Sequence, residues 1–438
     1  MDIQEELKTF IEERCPCGRS HRILLPQVLV KNGALRELPR LIAEYNAKKV
    51  YLLADTNTYA IAGENICKIL SSAGIAYHLH IFTEKPLEPN EYAVGSAIMH
   101  YTDDCDLIMA VGSGVLNDLG KIVATLTKKT YFIVGTSFMD GYASSLSAVI
   151  RDGFKVSLPS KYAEVIIGDT EILKNTPMRM MQAGIGDMLA KYISITDWRI
   201  SHEITGEYYC ERVADLVRKT VRLCVEHAEG LLQRNEESVK AVFEAIMLCA
   251  LSTSLSGVSR PVSGTEHNFS HFFDMRGLEF GTKTDMHGIQ CAVGTLYAAK
   301  LYHKALSIQP NKEKALSFVH SFDFKAWSEQ LREFLGQAAE PMIALEAKEK
   351  KYDIAEHEKR LEVVIEKWDT VCRIIREEIP AVETLEAFLN LTGIPKTVEE
   401  IGIECDIHTA FKATKDMRKK YMLSMLLWDL GELENIRI

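Results

Sequence analysis

Ala110-Val111-Gly112-Ser113-Gly114-Val115-Leu116-Asn117-Asp118-Leu119-Gly120-Lys121 sets two glycines between an apolar run, 107–111, and a segment of helical polar–apolar spacing. A strand that feeds a helix through such a turn is the repeating unit of a parallel sheet wrapped by helices. Glycines there let backbone approach a phosphate, and the exposed N–H groups of the helix start favour an anion. Asn117 occupies the third position of the Gly-x-Gly-x-x-Gly pattern, so these residues alone serve equally as a phosphate cradle or as a tight turn.

The flanking sequence supports a sheet. Apolar or β-branched runs at 50–54, 76–82, 107–111, 131–134 and 165–167 predict strands, and 60–72, 92–101 and 117–124 predict intervening helices. Residues 48–169 therefore read as an α/β nucleotide-binding domain. Asp55 follows the first run, where a carboxylate either bonds a nucleotide ribose, disfavouring a 2′-phosphate, or caps a helix beginning at Thr56. After about residue 174 the strand signals fade. Val239, Val242, Phe243, Ile246, Met247, Ala250, Leu251 and Leu255 follow a helical period that should stop near Gly257, with a further helix starting near Glu266. A long charged helix is expected over 343–375, with Ile354, Leu361, Val364, Ile365, Trp368, Cys372 and Ile375 as its apolar stripe. The expected division is an α/β domain, 1–174, and an all-helical domain, 175–438.

Composition narrows the class. The 438 residues are 47% hydrophobic and 26% charged, which is enough for two or three packed domains. A net charge of −10 argues against coating nucleic acid and towards a small partner. No uninterrupted apolar stretch reaches about 18 residues, and the first residues are acidic where a signal peptide is basic, so a cytoplasmic protein without membrane insertion is expected. Most of the ten cysteines are scattered, as buried thiols in a reducing compartment would be. Cys15, Cys17 and His21 are close enough to share a soft ion, but lack a second cysteine pair; a structural or interface role is the expectation.

Ligand-type residues concentrate among small ones in three later segments: Gly184-Ile185-Gly186-Asp187, Gly264-Thr265-Glu266-His267-Asn268-Phe269-Ser270-His271, and His287-Gly288. A catalytic ion needs about three nitrogen or oxygen donors and an open position, and Asp187, His267 and His287 supply such a set. His267 and His271 are four apart and share a helix face, so one can bind an ion while the other stands beside the reacting atoms. Taken singly, Asp187 is also a plausible cap and His287 an ordinary surface histidine.

The ordered combination carries more than its parts. Gly112-Ser113-Gly114 with Asp118 and Lys121, Thr136-Ser137-Phe138-Met139-Asp140-Gly141-Tyr142-Ala143-Ser144, Gly184 to Lys191, Ser259-Arg260-Pro261-Val262-Ser263-Gly264-Thr265-Glu266-His267, and His287-Gly288 occur in this sequence. Together they resemble the superfamily of polyol dehydrogenases, iron-containing alcohol dehydrogenases and dehydroquinate synthases. The branch most resembled is the sn-glycerol-1-phosphate dehydrogenases of bacterial type, and the resemblance runs from about residue 26 to 430. It implies a Rossmann-like dinucleotide-binding domain, a dehydroquinate synthase-like helical metal domain and a site in the cleft between them. Asp187, His267 and His287 match the metal ligands, Gly112, Ser113, Gly114 and Asp118 the cofactor turn. Thr136 and Ser137 would lie near the cofactor, and Asp140, with Ser144, near the polyol. Lys191 stands where the iron-dependent branch has a fourth ligand, which favours zinc or nickel, and an aspartate at 187 argues against a dehydroquinate synthase.

The implied activity is reversible NAD(P)H-dependent reduction of dihydroxyacetone phosphate to sn-glycerol 1-phosphate, on one divalent ion, in a homodimer. In that reading His271 relays a proton and contacts substrate, and Arg260 binds the phosphate through paired hydrogen bonds. The alternatives are a dehydrogenase of an unphosphorylated polyol such as glycerol, and a non-enzymatic protein on a retained nucleotide fold.

Overall fold

The structure, a computed structural model, describes residues 6–7, 10, 14–21, 26–152 and 154–438. Its strands are β1 Gln27–Lys31, β2 Lys49–Asp55, β3 Ala76–Phe82, β4 Leu107–Gly112, β5 Thr130–Gly135, β6 Leu146–Arg151, β7 Phe154–Pro159 and β8 Val165–Asp169. Six of them form one parallel sheet in the order β1-β8-β5-β4-β2-β3, while β6 and β7 make a separate antiparallel hairpin. The five strands anticipated from sequence are all present. β2, β4, β5 and β8 are buried along most of their length, and strands covered on both faces read as unbroken apolar runs. β1, mostly half-buried at the sheet edge, carries only the short run Val28-Leu29-Val30 between Gln27 and Lys31.

One face of the sheet contributes Leu52, Met109, Val134 and Ile167 to a core shared with Leu38, Ile42, Ile66 and Leu70. Each such side chain contributes roughly 1.5–3 kcal/mol by leaving water. Helix α1, Gly114–Thr127, follows β4 directly. A Cβ on Gly120 would stand 2.6 Å from the Tyr131 ring, so Gly120 lets α1 lie close on β5. That is the task of the third glycine in the dinucleotide pattern, moved three residues along. Asn117, in the vacated position, accepts from the Tyr131 hydroxyl at 3.2 Å and donates to the Gly141 carbonyl at 2.8 Å.

Further helices are α2 Met178–Leu189, α3 Lys191–Thr205, α4 Glu236–Ser256, α5 Thr265–Phe280 and α6 His287–Ala305. The chain divides into two compact units, residues 1–185 with 219–258, and residues 186–218 with 259–438. This discontinuous division differs from a single cut after residue 174. The first unit reclaims α4 because Phe243 fills a slot over the sheet that two glycines leave open. A Cβ on Gly168 would lie 2.9 Å from the Phe243 ring, and one on Gly135 3.3 Å from it. By length and composition α4 is apolar enough to cross a membrane, yet 78% of that window is buried inside the protein, as befits a core helix. It ends at Gly257 with φ 73°, the left-handed cap that glycine adopts without strain.

The second unit is helical. The single helix expected over 343–375 is instead three: Ala339–Glu349, Ile354–Glu366 and Trp368–Glu378. Lys350 takes φ 51° and closes the first, the Asp353 carboxylate accepts from the N–H groups of Ala355 and Glu356 to start the second, and Lys367 ends it. Leu361, Val364, Trp368, Cys372 and Ile375 are still buried, because each piece keeps its own apolar face inward.

Candidate functional site

Two glycines bring the last turn of α2, which begins the second unit, together with α5 and α6. A Cβ on Gly186 would sit 2.3 Å from the Gly288 carbonyl oxygen, so only glycine allows α2 to rest on the start of α6. A Cβ on Gly294 would meet the Glu266 carbonyl at 2.6 Å, which fixes the approach of α5 to α6 in the same way. Asp187 on α2, His267 on α5 and His287 at the start of α6 consequently converge. Their ligand atoms, with Sγ of Cys291, all lie within 4.8 Å of one another. Cys291 was not among the residues expected from sequence. It stands one turn beyond His287 on the same face of α6.

The rings are oriented from behind. His267 Nδ1 donates to Glu266 Oε1 at 2.7 Å, and His287 Nδ1 is 2.8 Å from the Ser270 hydroxyl. The opposite nitrogens face the cluster: His267 Nε2 is 3.4 Å from Asp187 Oδ1, and His287 Nε2 is 3.5 Å from Cys291 Sγ. Metal-binding histidines are held in this way by a carboxylate or hydroxyl on the far nitrogen. Asp187 Oδ1 is buried and has no hydrogen-bond partner among the described residues, while Oδ2 pairs with buried Lys191 at 3.1 Å. An acceptor left in that state costs about 1–3 kcal/mol, which a cation would relieve. These donors fit a divalent ion that takes nitrogen and oxygen ligands.

The electrostatics agree. Burial alone would raise the Asp187 carboxyl, but Lys191 and His267 beside it hold it well below the ordinary range. Burial would lower His267, yet Cys291, Asp187 and Glu266 raise it well above an ordinary imidazole. Burial opposes the Cys291 thiolate, and the two imidazoles outweigh it to bring the group to about 7. The cluster thus favours positive charge at its centre. His271 lies alongside, its ring 5.8 Å from that of His287 and 6.5 Å from that of His267.

In the first unit the residues predicted for the cofactor gather at the carboxyl edge of the sheet. The chain runs from β2 outward to β3 and returns to β4 on the other side of β2, so strand order reverses between β2 and β4, where open α/β sheets bind ligands. Asp55 ends β2, Gly112 to Gly114 follow β4, and Thr136 and Ser137 follow β5, whose Gly135 pairs with Gly112. Ser113 makes no side-chain cap on α1, so that helix start keeps its N–H groups for an anion. Asp55 Oδ1 accepts from the N–H groups of Asn57 and Thr58, so the capping role is realised. Asp118 pairs with buried Lys121 at 3.0 Å. Asp140 begins the one-turn helix Asp140–Ala143, and the Ser144 hydroxyl accepts from the Leu146 N–H at 3.1 Å. In the same unit His21, 3.3 Å from Cys17 Sγ, donates from Nδ1 to the Leu255 carbonyl at 2.7 Å.

Arg260 is a correction. Expected to meet a phosphate, it is 2% exposed, with Nε on Glu207 at 2.9 Å, Nη1 on the Tyr421 carbonyl at 2.9 Å, and Nη2 on Ser201 and Glu207. Its fork is already filled by a carboxylate from the end of α3, leaving no paired donors for a ligand.

Residues 29–177 match the family described as iron-containing alcohol dehydrogenase. Glycerol-1-phosphate dehydrogenase (NAD(P)+) of Halalkalibacterium halodurans is 30% identical over 297 residues, which cover 67% of this chain and 74% of that protein. The protein of the same name from Methanosarcina mazei is 30% identical over 277 residues, 63% of this chain and 76% of its own. Among solved structures, glycerol dehydrogenase from Schizosaccharomyces pombe superposes with a TM-score of 0.60 at 16% identity, covering 93% of this chain and 89% of that one.

Proposed function

The chain belongs to the iron-containing alcohol dehydrogenase superfamily, and on that premise we propose that it reduces dihydroxyacetone phosphate to sn-glycerol 1-phosphate, and the reverse, with NAD(P)(H) and one divalent ion. The observation that carries the chemistry is the convergence of Asp187, His267 and His287 from three helices onto one point. The choice of substrate rests on the two relatives of that name at 30% identity.

Asp187, His267 and His287 hold the ion in this reading, with Glu266 and Ser270 fixing the two imidazoles from behind. A divalent cation there supplies positive charge next to a carbonyl oxygen that gains electron density during reduction. The nicotinamide supplies or accepts the hydride. Gly112, Ser113 and Gly114 would offer backbone N–H groups to its pyrophosphate, and Asp55 at the end of β2 would bond the ribose hydroxyls, which favours NAD. His271 delivers the proton that the C2 oxygen requires from an imidazole nitrogen. Asp140 and Ser144 bind substrate hydroxyls. With Arg260 committed to Glu207, another cation must meet the phosphate.

The test is oxidation of NADH and of NADPH by metal-analysed protein, with dihydroxyacetone phosphate and dihydroxyacetone side by side and the product enantiomer determined. Preference for the phosphate, formation of the 1-phosphate enantiomer and loss on chelation support the reading. Equal or faster turnover of dihydroxyacetone transfers the protein to the unphosphorylated polyol dehydrogenases. We further propose that the enzyme works in the cytoplasm as a homodimer holding zinc or nickel, which light scattering and metal analysis of the purified protein decide.

A further inference from the structure

We infer that Cys291 is a fourth protein ligand, making the ion's donors one carboxylate, two imidazoles and one thiolate. This rests on the metal-dependent reading above and goes beyond the three donors that reading uses.

The argument is geometric. Ligand bonds of about 2.0–2.1 Å to nitrogen, 2.0–2.2 Å to oxygen and 2.3 Å to sulfur, at tetrahedral angles, set nitrogen and sulfur about 3.5 Å apart and nitrogen and oxygen about 3.4 Å apart. His287 Nε2 and Cys291 Sγ are 3.5 Å apart, and His267 Nε2 and Asp187 Oδ1 are 3.4 Å apart. Two edges of the donor set thus already have the lengths of a tetrahedron around zinc. All four ligand atoms lie within 4.8 Å of one another, so closing the remaining edges onto an ion takes side-chain movements of about 1 Å.

The backbone explains why the thiol points there. Cys291 follows His287 by one helical turn, and the glycine contacts at 186 and 294 press the other two helices onto this face of α6. Cys291 is fully buried. Unlike a thiol buried among aliphatic side chains, this one presents sulfur to two imidazoles and to a carboxylate oxygen that lacks a hydrogen bond among the described residues. Binding breaks the S–H bond, forms a sulfur–ion bond and releases one proton to solvent. A thiolate selects soft and borderline ions such as zinc, cobalt or nickel against magnesium and manganese, and two anionic donors offset the charge of a divalent ion. Zinc sites can expand to five donors during catalysis, so a fourth protein ligand is compatible with turnover.

Zinc-edge X-ray absorption on the full-length protein loaded with one equivalent of zinc tests this without relying on activity. One sulfur scatterer at about 2.3 Å is expected, absent from Cys291→Ala, together with a fall in zinc affinity of more than about tenfold in competition with a chelator. Cobalt loading should add a sulfur-to-metal charge-transfer band that the same variant lacks. A shell of only nitrogen and oxygen in the unaltered protein overturns the assignment while leaving the three-donor reading intact, and needs no variant to fold. Sulfur that persists in Cys291→Ala overturns it as well. Failure to bind any ion overturns both this inference and the metal-dependent reading.

Discussion

Glu266 Oε1 accepts from His267 Nδ1 at 2.7 Å and from the Gly264 N–H at 2.9 Å, so a single carboxylate oxygen fixes both the ring and the turn that delivers it. Glu266→Gln keeps an acceptor for the turn and removes the charge behind the imidazole. Affinity for zinc should fall by about 10–100-fold with the unfolding temperature of the metal-free protein little changed. Chelator competition and thermal melts measure the two, and unchanged affinity would mean that Glu266 serves only the turn.

Arg260 and Glu207 form a pair whose arginine is completely buried. Arg260→Ala leaves the Tyr421 carbonyl without its donor and removes the cation beside Glu207, which keeps Ser201 as a partner, and should destabilise the fold by about 1–3 kcal/mol. Urea unfolding reads this directly. The Michaelis constant for dihydroxyacetone phosphate, measured well below the unfolding transition, should stay within about twofold, a change of less than 0.5 kcal/mol; a large rise would restore Arg260 to the phosphate.

Gly186 bears on the site through its contact with the Gly288 carbonyl. Gly186→Val forces α2 away from α6 and separates Asp187 from His287. Overpacking of this kind typically costs about 1–3 kcal/mol. Zinc retained after dialysis should drop below one equivalent while far-ultraviolet circular dichroism remains that of a folded chain. Full retention of zinc would show that the helix contact does not position the donors.

His80, on β3 of the first unit, supplies a pH dependence of its own. Burial, and then the neighbouring His100, whose ring stacks on it at 4.5 Å, lower its imidazole below the ordinary value. A histidine lowered in the folded state contributes stability that is complete above about pH 6.5, its unfolded value, and is lost as pH falls through the folded value. The urea midpoint should therefore decline on acidification below pH 6.5, and His80→Phe should flatten that decline. Identical pH profiles for the two proteins would rule out His80 as its source.

What the sequence disclosed follows burial and local spacing. β2, β4, β5 and β8 were legible because both faces are covered, and Asp187, His267 and His287 because small residues flank them. β1 and the β6–β7 hairpin were missed although Val28–Val30 and Ala148–Ile150 are short apolar runs and Asp152-Gly153 reads as a hairpin turn pair, because polar residues close in on both sides of each run. The supposed long helix was misread because its first break falls at Lys350, a residue type that seldom takes φ 51°. Cys291 was available to the same four-residue rule that linked His267 with His271. Glu266 was not, since neighbours in a helix do not ordinarily face each other. The partner of Arg260 comes from 53 residues earlier in the chain, and no local pattern announces it.

The insertion of α4 into the first unit imposes an order on synthesis. β5 and β8 leave the ribosome well before Phe243, and until residues 219–258 emerge the slot at Gly135 and Gly168 faces solvent. A nascent chain halted at residue 185 therefore displays an uncovered apolar sheet face, a natural substrate for holding chaperones and a seed for aggregation. The amino-terminal half cannot mature ahead of the helical segment that follows it, and production of residues 1–185 alone should yield insoluble protein.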